Sequence, residues 1–203
     1  GGYADIDDVL AQGLRALSPQ EFEATADEVS ALVLDVRAPE DFALGHVPNS
    51  IFIGLDGNFA PWVGELIVDV QQPLLLVAPA GREKEAVTRL ARVGFDRTLG
   101  FLKGGLGAWI AAGKSPETVH SIPVDQFELD YPAVQQRVFD VRKKGEFESE
   151  HVEGARHTPL SSLNEHLAEF PTEEAFYLHC AAGYRSMIAS SILKARGIHN
   201  MVD

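Results

Sequence analysis

The residues with the clearest chemical potential are His179-Cys180-Ala181-Ala182-Gly183-Tyr184-Arg185-Ser186, in which the one thiol of a 203-residue chain is followed by small residues, a glycine and an arginine. Cysteine is nucleophilic as the thiolate, and an ordinary thiol of pKa about 8.5 is only a few per cent ionised near neutral pH. A reactive thiol therefore needs donors around its sulfur. Residues Ala181 to Ser186 can curl round it, turn backbone N–H groups inward and open a helix whose N-terminus adds partial positive charge. Gly183 permits a positive φ and close backbone approach, and Arg185 supplies a fixed cation with forked donors for an oxyanion. Tyr184, on the rim, either touches substrate or packs. A free cysteine is also among the most buried residue types, so a core thiol is the competing reading; the strand-end position and the arginine favour a functional one.

Such a loop needs a strand before it and a helix after it. Ala175 to His179 is an apolar run of strand length, and Ser186 to Arg196 sets Ile188, Ser191, Ile192 and Ala195 on one helical face. The same order occurs earlier, where Pro73 to Ala78 is a strand-sized run followed by a glycine loop and a helical stretch. The likeness extends to an internal repeat. Leu34-Asp35-Val36-Arg37 recurs 105 residues later as Phe139-Asp140-Val141-Arg142, with Asp41-Phe42 matching Glu146-Phe147 and His46-Val47 matching His151-Val152 at the same spacing. Further on, Leu90 to Gly94 matches Leu193 to Gly197 at a spacing of 103.

A period near 100 implies duplicated domains. Glycine, proline and polar residues at Gly113 to Thr118 mark the boundary. The expected division is a lead segment over 1–17, one module over 18–116 and a second over 117–203. Ser18-Pro19-Gln20-Glu21 reads as a helix start, with Ser as N-cap, Pro at the first helical position and Glu three residues after the cap. Short apolar strands at Ala31 to Val36 and Arg137 to Val141, alternating with helices, predict an α/β fold of two tandem domains, each a small parallel sheet flanked by helices on both faces. Ligands then belong outside the carboxyl ends of the strands, where the Cys180 loop falls.

Composition narrows the partners. Hydrophobic residues make up 45% and charged residues 23%, a folding composition. Seventeen basic against thirty acidic residues give a net charge of −13, with no basic patch to hold nucleic acid or anionic lipid. The longest apolar runs are strand-sized, which excludes a membrane-spanning helix. A single cysteine rules out an internal disulfide framework and sets a reducing, cytoplasmic compartment as the expectation. The start, Gly1-Gly2-Tyr3-Ala4-Asp5, has no Met, basic or apolar segment, so a piece of a longer chain is expected. Seven histidines show no H-E-x-x-H or Cys/His ligand spacing, which argues against zinc. Trp62 and Trp109 read as core or interface aromatics.

Taken together, Asp35-Val36-Arg37 with Phe42 and Gly45-His46-Val47-Pro48, Gly104-Gly105-Leu106-Gly107-Ala108-Trp109, Asp140-Val141-Arg142, Phe147, His151 to Ala155 and Cys180 to Ser186 resemble tandem rhodanese sulfurtransferases over about residues 18 to 203. The resemblance implies that Cys180 takes a sulfane sulfur from thiosulfate or a persulfide, becomes a Cys persulfide and passes the sulfur to a thiol or to cyanide. Ala181 to Ser186 would bind the substrate, and neither metal nor organic cofactor is required. Asp140, Arg142 and His151, like Asp35, Arg37 and His46, read as hydrogen-bonding and ion-pair supports for the loop.

The modules differ where the chemistry lies. Ala78 aligns with Cys180, so the first module, with Gly81 in its loop, cannot form a persulfide; a one-residue gap leaves the counterpart of Arg185 open, and the simplest alignment places Glu83 there; a structural or docking role is expected for this module. After Gly94-Phe95 the first module runs on for 19 residues to Lys114, whereas five follow Gly197-Ile198. The last helix is therefore expected to be missing, leaving the strand at Val138 to Val141 exposed or covered by a partner chain. Residues Gly54 to Trp62 and Ala78 to Gly94 resemble the rhodanese tail of metallo-β-lactamase-fold hydrolase fusions, which implies an upstream metal-dependent domain, of the persulfide dioxygenase kind, in the parent chain.

Two competing functions remain open at this stage. One is a non-turnover persulfide carrier, redox sensor or regulatory binding module. The other is a cysteine phosphatase, disfavoured because only four residues separate Cys180 from Arg185, a loop that suits one sulfur atom better than a tetrahedral phosphate.

Overall fold

A computed structural model describes residues 5–203, which divide into two compact units, one ending at Glu117 and the other spanning Thr118–Asp203. In the first unit, β1 (Ala16–Leu17), β2 (Leu32–Asp35), β3 (Ile51–Phe52), β4 (Leu74–Val77) and β5 (Thr98–Leu102) form one parallel sheet in the order β1-β5-β4-β2-β3. Parallel strands connected by helices are covered on both faces, so their sequences are apolar throughout instead of alternating with polar residues. Here Leu34, Leu74 and Leu76 pack on one face with α1 (Ile6–Gly13), α4 (Phe59–Leu66) and α5 (Glu83–Arg92). Val33, Leu75 and Val77 pack on the other with Phe22 of α2 (Pro19–Val29) and Trp109 of α6 (Gly105–Ala111). A short helix, α3 (Pro39–Leu44), follows β2.

Helix α2 starts as its sequence requires. The Ser18 hydroxyl accepts from the Glu21 amide at 3.2 Å and the Glu21 carboxylate accepts from the Ser18 amide at 3.4 Å, a complete capping box. The stretch set apart as a lead segment corrects the expectation: residues 1–4 lie outside the described residues, but 5–17 carry α1 and β1 and belong to the first unit. Val9 and Gly13 of α1 are buried, and β1 pairs with β5. Its short, acidic opening hides the two features that tie it down, an apolar face on α1 and an edge strand of two residues.

The second unit repeats the scheme with β6 (Val138–Asp140), β7 (Arg156–His157), β8 (Phe176–His179) and β9 (Met201–Val202), all parallel, in the order β7-β6-β8-β9. Around them stand α7 (Val124–Val134), α8 (Lys144–Ser149), a kinked 3-10 stretch over Leu160–Glu169, and α9 (Tyr184–Ala195). The place of β1 is held by the bridge His120↔Val202: the Asp203 amide donates to the His120 carbonyl and the Ile122 amide to the Asp203 carbonyl, each at 2.9 Å. The Phe101 amide makes the corresponding bond to the Arg15 carbonyl in the first unit.

Two expectations are revised here. The strand over 138–141 is not exposed: Val138, Phe139 and Val141 are buried within the second unit, with Phe139 packed on Phe170 and Phe176. The face of α9 given by Ile188, Ser191, Ile192 and Ala195 is not the buried one, because the helix is enclosed almost all round. Residues Ser186 to Ser191, Leu193 and Lys194 are buried, whereas Ala195 is exposed. Small side chains permit this; Ser190 and Ser191 return their hydroxyls to the carbonyls of Ser186 and Ile188, and Lys194 reaches the Thr118 carbonyl at 2.9 Å. A pattern search for an apolar stripe misreads a helix whose buried residues include serines and a lysine.

Candidate active site

The register Asp140↔His179 places Cys180 one residue beyond the carboxyl edge of the second sheet, at the end of β8. The loop then turns through Gly183, whose φ of 87° makes it a left-handed N-cap for α9. That turn brings backbone donors to the sulfur: the Gly183 amide lies 3.0 Å and the Ser186 amide 3.4 Å from Cys180 Sγ. The thiol itself approaches Ser186 Oγ at 3.4 Å, and Ser186 Oγ donates to the Gly183 carbonyl at 3.2 Å. The sulfur thus sits at the positive end of a 12-residue helix with amides aimed at it, an arrangement that stabilises an anion. Cys180 is 9% exposed. Ala181 and Ala182 are exposed, while Tyr184 is half-buried on the helix start.

Arg185 is brought to the loop, but its fork is not turned to an oxyanion. It grips the Glu146 carboxylate of α8 through two nitrogens, at 2.6 and 3.0 Å, a bidentate match that its planar guanidinium favours. This contact holds the Glu146 carboxyl down to about 2. Arg142 is likewise engaged: two of its nitrogens reach the fully buried Asp140 carboxylate, the shortest contact being 2.7 Å, and it donates to the Glu150 carbonyl at 2.8 Å. The guanidinium protons of both arginines are held more tightly than usual, first by their carboxylate partners and also by the charge of a Cys180 thiolate. Each guanidinium is thus engaged by a carboxylate, Arg185 by Glu146 and Arg142 by Asp140.

His151 is placed at the end of the α8 segment, exposed and stacked on Phe147 at 3.9 Å, with Nδ1 2.7 Å from the Phe147 carbonyl. His157, which sequence reasoning passed over, stacks on the other side of the same support, 4.6 Å from Phe147, with Nε2 2.8 Å from the Arg142 carbonyl. Burial pushes the His179 imidazole below its usual range. Glu146 was also missed as a site residue, although its match to Asp41 in the repeat marks its position.

Beside the thiol opens a cavity of about 650 Å3, walled by Ile122, Val124, Phe127, Tyr131, Val152 and Leu178, with Cys180 to Gly183, Ser186 and Asp203 on the loop side. Asp203 is a further residue that no motif signals. Its Oδ2 accepts from the Ser121 hydroxyl at 3.0 Å, its Oδ1 is buried without a partner among the described residues, and burial pushes its carboxyl up against the pull of the Ser186 and Ser121 hydroxyls.

The first unit has a strand, a glycine turn and a helix at the corresponding place, with no thiol in the loop and with α5 starting one residue later than α9 does. Ala78 follows β4 as Cys180 follows β8, and Gly81 has φ 87°, as Gly183 has. Counted from Ala78, Glu83 stands at the place of Arg185; counted from the helix start, Glu83 stands at the place of Tyr184. The neighbouring Arg82 is clamped to Asp56 at 2.8 and 2.9 Å and to Glu85 at 2.7 and 3.1 Å, which lowers both carboxyls. The supports are duplicated: Arg37 holds buried Asp35 and the Gly45 carbonyl, and His46 stacks on Phe42. Burial raises the Asp35 carboxyl even so, with Arg37 pulling it back down.

Among the described residues, no group of three or more His, Cys, Asp or Glu is arranged to hold a metal ion, and no helix is long and apolar enough to cross a membrane.

A family model for the rhodanese-like domain matches residues 18–112 and again 125–203, so the chain belongs to the rhodanese-like domain family, in tandem form. Among curated proteins it is similar to the uncharacterized protein YqhL of Bacillus subtilis, 37% identical over 73 residues, covering 36% of this chain and 56% of that one. It is also similar to the putative sulfur carrier protein YrkF of the same organism, 29% identical over 97 residues, covering 44% of this chain and 50% of that one. The chain thus spans about half the length of these relatives. A solved thiosulfate sulfurtransferase from Pseudomonas aeruginosa aligns with 94% of this chain and 43% of its own, at 21% identity and a TM-score of 0.45.

Proposed function

We propose that the second unit is a sulfurtransferase acting through a Cys180 persulfide, and that the first unit has no transfer chemistry of its own. The observation carrying this reading is the Cys180 sulfur at the N-terminus of α9, with the Gly183 and Ser186 amides 3.0 and 3.4 Å away. A thiolate so held attacks the outer sulfur of thiosulfate or of a persulfide; the donor's S–S bond breaks, the donor residue leaves with the electron pair, and an S–S bond forms on Cys180. The same amides then face the outer sulfur of the persulfide. A thiol or cyanide acceptor attacks that sulfur and returns Cys180 as the thiolate. No cofactor enters either step.

Glu146 and Asp140 hold Arg185 and Arg142 in bidentate pairs, which fixes the position of the first helical turn after the Cys180 loop and of the segment that follows β6. The partners proposed are a small sulfur donor and a thiol acceptor in a cytoplasmic setting, with an upstream metallo-β-lactamase-fold domain in the parent chain resting on the resemblance of Gly54 to Trp62 and Ala78 to Gly94. A second reading, a persulfide carrier that loads without turning over, is favoured by the name of the YrkF relative and by Ala78.

Intact-protein mass after treatment with thiosulfate or glutathione persulfide, beside Cys180→Ser, tests both. Gain of one sulfur that needs Cys180 and is discharged catalytically by thiol or cyanide supports the transferase; loading without turnover supports the carrier. No gain in folded protein refutes both.

A further inference from the structure

We infer that Asp203 is a positioning residue for sulfur transfer: it shares the Ser186 hydroxyl with Cys180, and its carboxylate, by drawing that hydroxyl's one hydrogen to itself, opposes the thiolate. This rests on the Cys180 chemistry proposed above and adds the group that governs it.

Ser186 is 2% exposed, and its Oγ stands 3.4 Å from Cys180 Sγ. The Asp203 carboxylate accepts from the same hydroxyl, and its Oδ2 accepts from Ser121 Oγ at 3.0 Å. The backbone sets Asp203 in this place: its amide donates to the His120 carbonyl and its carbonyl accepts from the Ile122 amide, each at 2.9 Å. A hydroxyl has one hydrogen to give. Between a thiol and an ionised Asp203, Ser186 gives that hydrogen to the carboxylate and accepts from the S–H; the Gly183 carbonyl, 3.2 Å away, is a further acceptor for it. Once the thiol releases its proton to water, two anions face this single donor, and each charge disfavours the other. Asp203 and Cys180 therefore titrate as a pair. Burial raises the Asp203 carboxyl before the sulfur is considered.

The first unit shows that the arrangement accompanies the thiol. Phe101, whose amide bonds the Arg15 carbonyl as the Asp203 amide bonds that of His120, takes the place of Asp203. Its ring packs with the cluster that includes α4 and α5, on the side that α9 occupies in the second unit, and not with the cluster that holds Trp109 of α6. The place of Ser186 is taken by Lys84 counted from Ala78, or by Glu85 counted from the helix start. Thiol, hydroxyl and acid stand together in one half, and all three positions are changed in the other.

The other titratable groups around this trio are Glu128 and Tyr131 of α7, Tyr177 and His179 of β8, and His120 in the segment paired with β9. Arg142 and Arg185 interact with the charge of the sulfur and stay cationic throughout. Sulfur loading removes the conflict. The Cys180 sulfur becomes half of an uncharged S–S bond and the negative charge moves to the outer sulfur, so an ionised Asp203 favours the loaded protein over the free thiolate.

The test is the rate of Cys180 alkylation by iodoacetamide, an uncharged probe, followed by intact mass from acid to alkaline pH. Asp203→Asn keeps the size of the side chain and removes its charge. The midpoint of the alkylation profile should fall by about one pH unit, with alkylation and sulfur loading several-fold faster at neutral pH. In a Ser186→Ala background the same substitution should move the midpoint by less than half as much. Asp203→Ser, also uncharged, gives the reading if the Asn variant fails to fold. A midpoint that is unchanged or higher in the uncharged variants, or a shift of full size without the Ser186 hydroxyl, overturns the inference while leaving sulfur transfer intact. The expected shifts in alkylation without sulfur loading of any of these proteins uphold the coupling and remove the transfer reading of Cys180.

Discussion

Gly81 and Gly183 hold the same backbone conformation, φ 87° in each, three residues after Ala78 and Cys180 respectively. The left-handed glycine is therefore kept in both halves, but α9 starts directly after Gly183 whereas α5 starts after Arg82, one residue beyond Gly81, and only the second loop carries a thiol.

This pair makes a matched experiment. Neither glycine has an atom within 4 Å of where a Cβ would stand, so alanine meets no clash, only the left-handed backbone penalty of about 1–2 kcal/mol. Gly81→Ala and Gly183→Ala should each lower stability by that amount in denaturant titration. Gly183→Ala alone should slow sulfur loading of Cys180, because it displaces the amide 3.0 Å from Sγ.

Restoring a thiol to the first loop should not restore the chemistry. Ala78→Cys in a Cys180→Ser background gains the nucleophile but has Glu83 where, counted from the cysteine, the second loop has Arg185, reversing the local charge. Sulfur loading by mass should be at least tenfold slower than at Cys180; equal loading would mean that the loop backbone suffices.

The Arg185–Glu146 pair has a defined acid dependence. Glu146 falls from its ordinary 4.5 to about 2 on folding. A carboxyl depressed by folding adds stability that is complete above 4.5 and is lost as pH falls toward 2. Glu146→Gln should therefore be less stable than the native chain at neutral pH by a small, salt-sensitive margin, the carboxylate being partly exposed. The difference should close between about pH 4.5 and 2 in denaturation measured across that range.

Asp203 has the opposite sign. Burial raises its carboxyl on folding, so its charged form subtracts stability above the raised value and has no effect once pH is below the ordinary 3.8. Asp203→Asn keeps an oxygen for the Ser121 hydroxyl and should stabilise the second unit at neutral pH, the gain vanishing at acid pH. A loss of stability at neutral pH would show that the carboxylate is satisfied as it stands.

The duplicated α/β plan was readable because Asp-Val-Arg, the aromatic and the histidine recur at one spacing, and because each strand is a run of apolar residues ended by polar ones. The Cys180 loop was readable for the same reason, as residue types concentrated in eight positions. Glu146, His157 and Asp203 were not, since each reaches the site from a separate element and none has a local motif. Arg185 was identified, but the partner of its fork was set by packing of α8 against α9's start, which no spacing along the chain encodes. The burial of α9 was hidden by its serines, which satisfy their hydroxyls on the helix's own carbonyls.

Arg82 leaves one consequence for the first unit. Its guanidinium is saturated by Asp56 and Glu85, which the chain itself tethers beside it. Tethered groups compete at effective concentrations of the order of millimolar, so a free anion must exceed that level to take their place. The first loop carries its own occupant, bound at a strength set by the chain's connectivity and not by any concentration outside it.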